Sequence, residues 1–189
     1  DFAEYRTLVD QALCQGATFV KLMLSGILDF DCYGKITSPG LSALAVAQLV
    51  AYAHEKGLPV MAHVNTAALV SQALDAGVDS IEHGLLMDAA TCEKLAAGNV
   101  VWVPTIAPVQ AAHDSGKFSP EVTQRICREQ AAAVAAVVKQ GGLVALGSDA
   151  GSAGVPHVAG ALRECELLGV SDAALQRGAH VLVNRFPGC

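Results

Sequence analysis

The sequence predicts an α/β fold in which parallel strands alternate with helices, and three observations indicate it. Apolar segments of strand length alternate five times with helical segments along the 189 residues. Each strand segment is a nearly continuous apolar run, as expected when helices cover a parallel sheet on both faces. No linker or shift of composition divides the chain, so we expect a single domain over 1–189.

Apolar periodicity and turn residues place the elements along the chain. Asp88 and Ser119 stand where helix N-caps are expected, Pro120 occupies a first helical position, and Gly57 ends a helix. Long loops follow the first and fourth strands, and such loops often carry function. The predicted helices are 2–15, 41–57, 66–77, 88–98, 119–142, 159–168 and 172–185, and the predicted strands are 18–25, 58–64, 79–84, 100–106 and 143–151.

The composition argues against several classes of protein. The chain is 52% hydrophobic and 16% charged, which is typical of a folded globular domain. Its net charge is −6 and no cluster of Lys and Arg occurs, which argues against a nucleic-acid partner. No apolar run approaches the roughly 20 residues of a membrane span. Six widely spaced cysteines without a C-x-x-C pair favour reduced thiols, and hence a cytoplasmic protein.

Unusual polar residues fall at corresponding places in four of the five predicted strands. Lys21 lies within the first strand, although lysine is rarely buried without a partner. His63 and His83 end the second and third strands, and Asp149 ends the fifth. The carboxyl ends of parallel strands meet at one edge of a barrel, and imidazole and carboxylate groups suit Zn²⁺ and similar ions. The pattern therefore predicts one shared polar site.

Each of these four residues also has an ordinary structural explanation. A single histidine in a strand is often a hydrogen-bonded core residue, and Asp149 is also placed to cap a helix or shape a turn between glycines. Lys21 is also explained by an ion pair with a buried carboxylate such as Asp149. Four such residues at equivalent positions of successive units favour the shared site.

Five segments carry a resemblance to a known family: "GATFVKLMLSG", "AYAHEKGLPVMAHV", "ALDAGVDSIEHGL", "VVWVPTI" and "VALGSDAG". The spacing is 42 residues from Lys21 to His63, 20 more to His83 and 66 more to Asp149. In this order the chain resembles the amidohydrolase superfamily, and more narrowly its imidazolonepropionase-related and prolidase-like (Xaa-Pro, Xaa-Arg dipeptidase) branch. The resemblance implies a partial TIM (β/α)8 barrel that holds strands four to eight only.

The resemblance also implies a metal-dependent hydrolase that cleaves amide or other C–N bonds. The implied substrates are small molecules such as dipeptides, N-acyl amino acids or cyclic amides. In dipeptidase-like members the lysine at the position of Lys21 carries CO₂ as a carbamate, an anion that binds zinc or a similar divalent metal. By the same resemblance His63 and His83 are metal ligands, and Asp149 is both a metal ligand and the catalytic proton carrier. A bound metal ion would compensate the negative charge of the carbamate, which would explain a lysine in an apolar strand.

The sequence departs from the family pattern in one important respect. It contains no His-x-His, the pair of metal ligands on the first strand of a complete family member. We therefore expect strands one to three and the small β-sandwich to be absent. Two sheet edges would then need cover from a homo-oligomer, unless the chain is a C-terminal fragment of a longer hydrolase. Two alternatives stay open: a catalytically inactive partial barrel, or a different α/β sheet that binds a phosphorylated ligand.

Other polar and aromatic residues allow weaker predictions. Tyr33 lies in the loop after the first strand, where the family often binds substrate, and His157 follows the Asp149 loop. Both are candidate substrate-binding residues, although His157 is equally explained as an exposed loop histidine. Glu82 is expected to point toward the helices, away from His83, because strand side chains alternate. Trp102 is expected in the core, and His113 in the loop after the fourth strand.

Overall fold

A computed structural model describes residues 1–187 and confirms the predicted fold class. Five parallel strands form one sheet in the order β1-β2-β3-β4-β5, with helices between consecutive strands. The strands are β1 Val20–Met23, β2 Val60–Val64, β3 Ser80–His83, β4 Val101–Val103 and β5 Leu143–Val144. The helices are α1 Phe2–Cys14, α2 Ala43–Glu55, α3 Ala67–Ala76, α4 Ala89–Ala97, α5 Ala107–Asp114, α6 Pro120–Lys139, α7 His157–Leu168 and α8 Asp172–Arg185.

The register of the strands gives the sheet two chemically different faces. On the outer face, Leu22 pairs with Ala62 and Ile81 with Trp102, and these side chains join the main hydrophobic core beneath the helices. The opposite face, here called the inner face, carries more polar residues. There Lys21 pairs with Met61, and His63 lies beside Glu82, which in turn pairs with Val103. The inner face therefore holds the side chains that could bind a ligand or take part in a reaction. Packing on the outer face fixes their positions.

Local sequence explains where most helices begin. Asp1, Ser42, Asp88, Ser119 and Ser171 each accept a backbone N–H of the first helical turn, as N-caps do. The N-cap residues of α3, α5 and α7 make no such side-chain hydrogen bond.

Two predicted boundaries need correction. The segment after β4 was expected to be a loop, yet it forms α5, with a proline in the first turn. The fifth strand was expected over 143–151 but ends at Val144. The chain leaves the extended conformation before Asp149, which has a φ of 49°. On the way, Gly147 lies against Val103, and a Cβ added to this glycine would be 2.4 Å from the valine side chain.

Helix α8 covers the free edge of β5. A Cβ added to Gly178 would lie 2.0 Å from the Val144 carbonyl oxygen, which points away from β4 because the next amide, of Ala145, donates to β4. Val181 and Leu182 of α8 pack on a buried cluster that includes Val101, Val103 and Ala145. The expectation of two uncovered edges was therefore wrong for β5.

A second, smaller cluster lies beyond the carboxyl ends of the strands. Leu28, Leu85, Val109 and Ile126 form its buried part, and they come from the loop after β1, the end of β3, α5 and α6. A backbone bridge between Leu28 and Ile36 shapes that loop as a short antiparallel turn. This packing fixes the loops around the mouth of the sheet. No helix within residues 1–187 combines the length and the apolar character needed to cross a bilayer.

Candidate functional site

A cavity of about 370 Å³ lies at the carboxyl ends of the strands, and the four predicted site residues line it. Lys21 enters from β1, His63 from β2, His83 from β3, and Asp149 from the segment after β5. Apolar side chains complete its wall, among them Leu28, Phe30, Leu85, Pro108 and Val109. The residues therefore converge as the strand pattern predicts, whereas their roles as ligands stay a prediction.

The two histidines form the centre of the site. The ring centroids of His63 and His83 are 4.5 Å apart, with an angle of 68° between the ring planes. Burial lowers the pKa of both imidazoles, that of His83 to about 3, and the positive charge of Lys21 lowers them further. At neutral pH both rings are therefore uncharged, and each has one nitrogen lone pair available.

Three residues from other parts of the chain hold His83 in place. Its backbone carbonyl accepts hydrogen bonds from Trp102 Nε1 at 2.9 Å and from Gln130 Nε2 at 2.6 Å. Its ring nitrogen Nδ1 lies 2.5 Å from Thr105 Oγ1. The following residue must be glycine, because a Cβ at Gly84 would lie 2.8 Å from Trp102 Nε1. Trp102 is fully buried, as predicted, and it positions His83 as well as filling the core.

Strained backbone marks the same edge of the sheet. His83, Thr105 and Asp149 have φ values of 68°, 50° and 49°, in the left-handed region that non-glycine residues rarely occupy. His83 ends β3, whereas Thr105 and Asp149 follow β4 and β5, so strained backbone occurs at or after three neighbouring strands. Each such residue costs on the order of 1–3 kcal/mol and persists only where surrounding contacts hold it, often at functional sites.

His63 is held by a network that the sequence analysis missed. Asn65 Nδ2 lies 3.5 Å from His63 Nε2, and Asn65 Oδ1 accepts the N–H of Leu85 at 3.1 Å. Ser25 Oγ accepts the N–H of Asn65 at 3.0 Å. Ser25, Asn65 and Thr105 each stand one or two residues beyond a strand. A small polar residue immediately after an apolar run was the signal that could have identified all three.

Two expectations about the lysine and its neighbours need correction. Lys21 is exposed rather than buried, because the described residues leave the inner face open beside β1. Glu82 was expected to face the helices, but it shares the inner face with His63 and accepts a hydrogen bond from Ser80 Oγ at 2.7 Å. Alternation fails after Glu82 because the left-handed backbone at His83 turns that side chain to the inner side as well.

Burial raises the pKa of Glu82, and the charge of Lys21 opposes that increase. The charge of Asp149 raises the pKa of Glu82 further. Glu82 lies beside His63 on the inner face but does not line the cavity. The inner face therefore carries one carboxyl group that the sequence analysis did not place there.

The two candidate substrate-binding residues lie outside the cavity lining. Tyr33 stands at the tip of the loop after β1, where its hydroxyl donates to Glu129 and Arg125 covers its ring at 3.6 Å. The loop directs this tip toward α6, and a substrate contact of Tyr33 stays a prediction. His157 begins α7 and is exposed. Its substrate contact stays a prediction. His113 lies in α5, not in a loop, and pairs with Thr123.

The donor groups fit a divalent metal in their chemistry. Two neutral imidazoles in contact, a carboxylate and a lysine share one cavity, and imidazole and carboxylate are preferred ligands of Zn²⁺. Among residues 1–187, however, no three or more His, Cys, Asp and Glu side chains are grouped closely enough to hold an ion. Lys21 and Asp149 line the same cavity and stay the predicted further ligands beside the histidines.

The fold and the cavity together define a class: a partial TIM barrel with its site at the carboxyl ends of the strands. The particular family follows from the sequence. The chain belongs to the amidohydrolase family, whose model matches residues 3–182. A search of curated proteins gives no match.

Solved structures agree with this assignment. An amidohydrolase is 26% identical with a TM-score of 0.78, and the match covers 98% of this chain and 46% of that one. A Xaa-Pro dipeptidase with methionine bound in its active site is 25% identical with a TM-score of 0.74, covering 97% and 48%. The ochratoxinase of A. niger, 22% identical with a TM-score of 0.79 and covering 99% and 44%, shows the fold alone. The chain thus spans about half the length of the structures it matches.

Proposed function

We propose that this chain is a metal-dependent hydrolase of amide or other C–N bonds, or the part of one that carries Lys21, His63, His83 and Asp149. The convergence of these four residues in one cavity is the observation that supports the proposal. Membership of the amidohydrolase family supports hydrolysis as the type of reaction, and the likeness to a Xaa-Pro dipeptidase supports small peptide-like substrates.

Each residue has a stated role in this proposal. The neutral imidazoles of His63 and His83 would bind the ion. Lys21 would supply a further donor as a carbamate, formed when its neutral amine adds to CO₂ and releases a proton. Bound zinc or a similar ion would polarise the scissile carbonyl and lower the pKa of water. The Asp149 carboxylate accepts a proton from the attacking water and delivers it to the leaving nitrogen.

The cavity limits what the substrate is. A volume of about 370 Å³ suits a molecule the size of a dipeptide, an N-acyl amino acid or a cyclic amide. The wall formed by Leu28, Phe30 and Val109 favours an apolar substituent next to the bond that is cleaved.

Metal binding tests the proposal most directly. We expect the purified chain to bind about one equivalent of zinc in a titration with bicarbonate present, because the Lys21 carbamate forms from CO₂. His63→Ala and Lys21→Ala should each abolish or strongly weaken binding, whereas His180→Ala, which changes an exposed histidine on α8, should not. Unchanged zinc binding in both site variants would contradict the proposal.

One observation favours a second candidate, an inactive partial barrel. The described residues lack a group of three His, Cys, Asp or Glu side chains close enough to hold an ion, and the sequence contains no His-x-His. A chain that stays metal-free with excess zinc and bicarbonate, and that hydrolyses none of a panel of dipeptides and N-acyl amino acids, would support this alternative.

We also propose that the chain forms a homo-oligomer through β1. Among the described residues no strand pairs with the outer side of β1, and edge strands readily pair with other chains. Met23 and Ile27, at and after the end of β1, are 59% and 58% exposed. Both also line the cavity, so a partner at this edge would cover apolar surface beside the candidate site.

A further inference from the structure

Glu164 is a fully buried carboxyl group that the proposed reaction does not use. It lies on α7 with no exposed surface, and both of its carboxyl oxygens accept hydrogen bonds from backbone amides. Its Oε1 accepts the N–H of Ile106 at 2.9 Å, and its Oε2 accepts the N–H of Ala107 at 2.7 Å. A buried acidic group is costly, and an apolar side chain of similar size often stabilises a core as well or better. The carboxyl group therefore calls for an explanation beyond stability.

The two amides belong to the start of α5. This helix makes no side-chain cap of its own, so Glu164 supplies the cap from a different helix. Burial raises the pKa of Glu164 to about 7, and its backbone hydrogen bonds oppose that increase. The carboxyl group thus ties α7 to the turn between β4 and α5 at a point where the chain offers no local substitute.

The same turn carries the residue that holds His83. Thr105 directly precedes Ile106 and has a strained φ of 50°. Its hydroxyl contacts Nδ1 of His83. Because His83 lines the cavity, Nε2 is the ring nitrogen that remains for a ligand there. Only one peptide bond separates the anchored amide of Ile106 from Thr105, so a shift of that anchor moves the hydroxyl.

We infer that Glu164 is a positioning residue for His83. Its carboxyl group fixes the turn after β4 so that the Thr105 hydroxyl oxygen accepts a hydrogen bond from Nδ1–H, and the lone pair of Nε2 is kept for the cavity. The contact selects one of the two neutral tautomers of His83, in the way that outer hydrogen bonds orient metal-binding histidines. The importance of this tautomer for catalysis rests on the proposed function, but the tautomer itself is measured without metal or substrate.

Nuclear magnetic resonance of the metal-free chain, labelled with ¹⁵N-histidine, tests this inference. In the unsubstituted protein we expect His83 to show one neutral tautomer with its proton on Nδ1. Glu164→Gln keeps the size of the side chain but replaces one acceptor oxygen with an NH₂ donor. This donor faces one of the two backbone N–H groups and cannot accept its hydrogen bond, so the turn shifts. The two ring nitrogen signals of His83 should then move toward the averaged values of exchanging tautomers. Thr105→Val should produce the same change by removing the hydroxyl.

Glu166→Gln is the matched control, because it makes the same chemical change on the exposed side of the same helix. It should leave the His83 signals unchanged. If the chain binds zinc, Glu164→Gln should also weaken zinc about 10–100-fold, the usual effect of losing an outer hydrogen bond to a metal ligand.

Three results would overturn the inference. The first is a folded Glu164→Gln protein with unchanged His83 signals. The second is a proton on Nε2 in the unsubstituted chain. The third is loss of the fold in both Glu164→Gln and Glu164→Asp, because the carboxyl group would then sustain the whole structure rather than this turn. Absence of zinc binding, in contrast, would contradict the proposed function and leave the tautomer result standing.

Discussion

Gln130 and Glu164 show how single buried polar residues hold the candidate site in place. Each lies on an outer helix, and each sends its polar end to backbone groups at the carboxyl ends of β3 or β4. Because buried hydrogen-bonding groups are costly when unpaired, these side chains and their backbone partners depend on one another. Neither was singled out from the sequence, since a polar residue inside a helix pattern looks like a solvent-exposed position.

Replacement of Gln130 tests its part in this arrangement. In Gln130→Met the carbonyl of Pro104 loses its donor at 3.2 Å, and that of His83 keeps only Trp102. We expect the free energy of unfolding to fall by about 1–3 kcal/mol, measured by urea denaturation. Gln124→Met, on the exposed side of the same helix, should change it by less than about 0.5 kcal/mol. Equal effects of the two substitutions would contradict the role assigned to Gln130.

Glu164 should also give stability a characteristic dependence on pH. Burial raises its pKa from 4.5 to about 7, so the folded state retains a proton that the unfolded state has lost. The associated stability is present below pH 4.5 and is lost as pH rises to about 7. The loss is at most about 3 kcal/mol, at 1.36 kcal/mol per pKa unit.

His83 acts in the opposite direction, because its pKa is lowered from 6.5 to about 3 and its contribution is lost as pH falls through that range. The Glu164 effect is therefore the difference in unfolding free energy between the unsubstituted chain and Glu164→Gln, measured from pH 4 to 8. That difference should become less favourable to the unsubstituted chain as pH rises. A difference independent of pH would refute the prediction, and Glu166→Gln provides the baseline.

At the level of elements, the sequence located helices and strands well but missed where the backbone turns sharply. Alternating apolar segments and cap residues such as Asp88 and Ser119 predicted seven of the helices around the sheet within a few residues. Helix α5 was missed because its cap comes from Glu164, 57 or more residues later in the chain. The direction of Glu82 was wrong because a left-handed residue at His83 leaves no mark in the pattern of alternation.

The contact between α8 and β5 can be tested by whether one substitution raises or lowers the free energy of unfolding. Gly178→Ala should stabilise an isolated helix by about 1 kcal/mol, because alanine has the higher helix propensity. In this protein the new Cβ would overlap the Val144 carbonyl oxygen, which belongs to backbone and cannot easily move. We therefore expect destabilisation of about 1–3 kcal/mol in thermal or urea unfolding. Stabilisation would mean that α8 does not pack on β5 as described, and Gln176→Ala on the exposed side of α8 is the control.

On the scale of the whole molecule, the sequence predicted both the fold class and the convergence of four residues from four segments. Both rest on a general rule, that parallel strands bring their carboxyl ends to one edge. The placement of Tyr33 was not predictable in this way, because loop direction depends on contacts such as that between its hydroxyl and Glu129. Covering of the β5 edge was missed for the same reason: the sequence shows that α8 exists but not which surface it meets.

The proposed homo-oligomer is testable on the opposite edge. Met23→Lys places a charge on the exposed end of β1, so we expect a shift toward monomer in sedimentation velocity at equal concentration. Val158→Lys, on α7 at a position that is 78% exposed, should leave the distribution unchanged. A monomeric unsubstituted chain, or oligomers unaffected by Met23→Lys, would count against assembly through β1.

Because α8 covers the edge of β5, the two edges of the sheet differ in whether further strands can be added to them. Gly178 brings the helix against backbone on that side, whereas β1 keeps its hydrogen-bonding groups toward the outside. Further strands, whatever polypeptide supplies them, can extend this sheet from one direction only unless α8 is first displaced. Complementation with a separately produced three-stranded segment is thus expected to proceed by addition beside β1, with ring closure as the later and slower event.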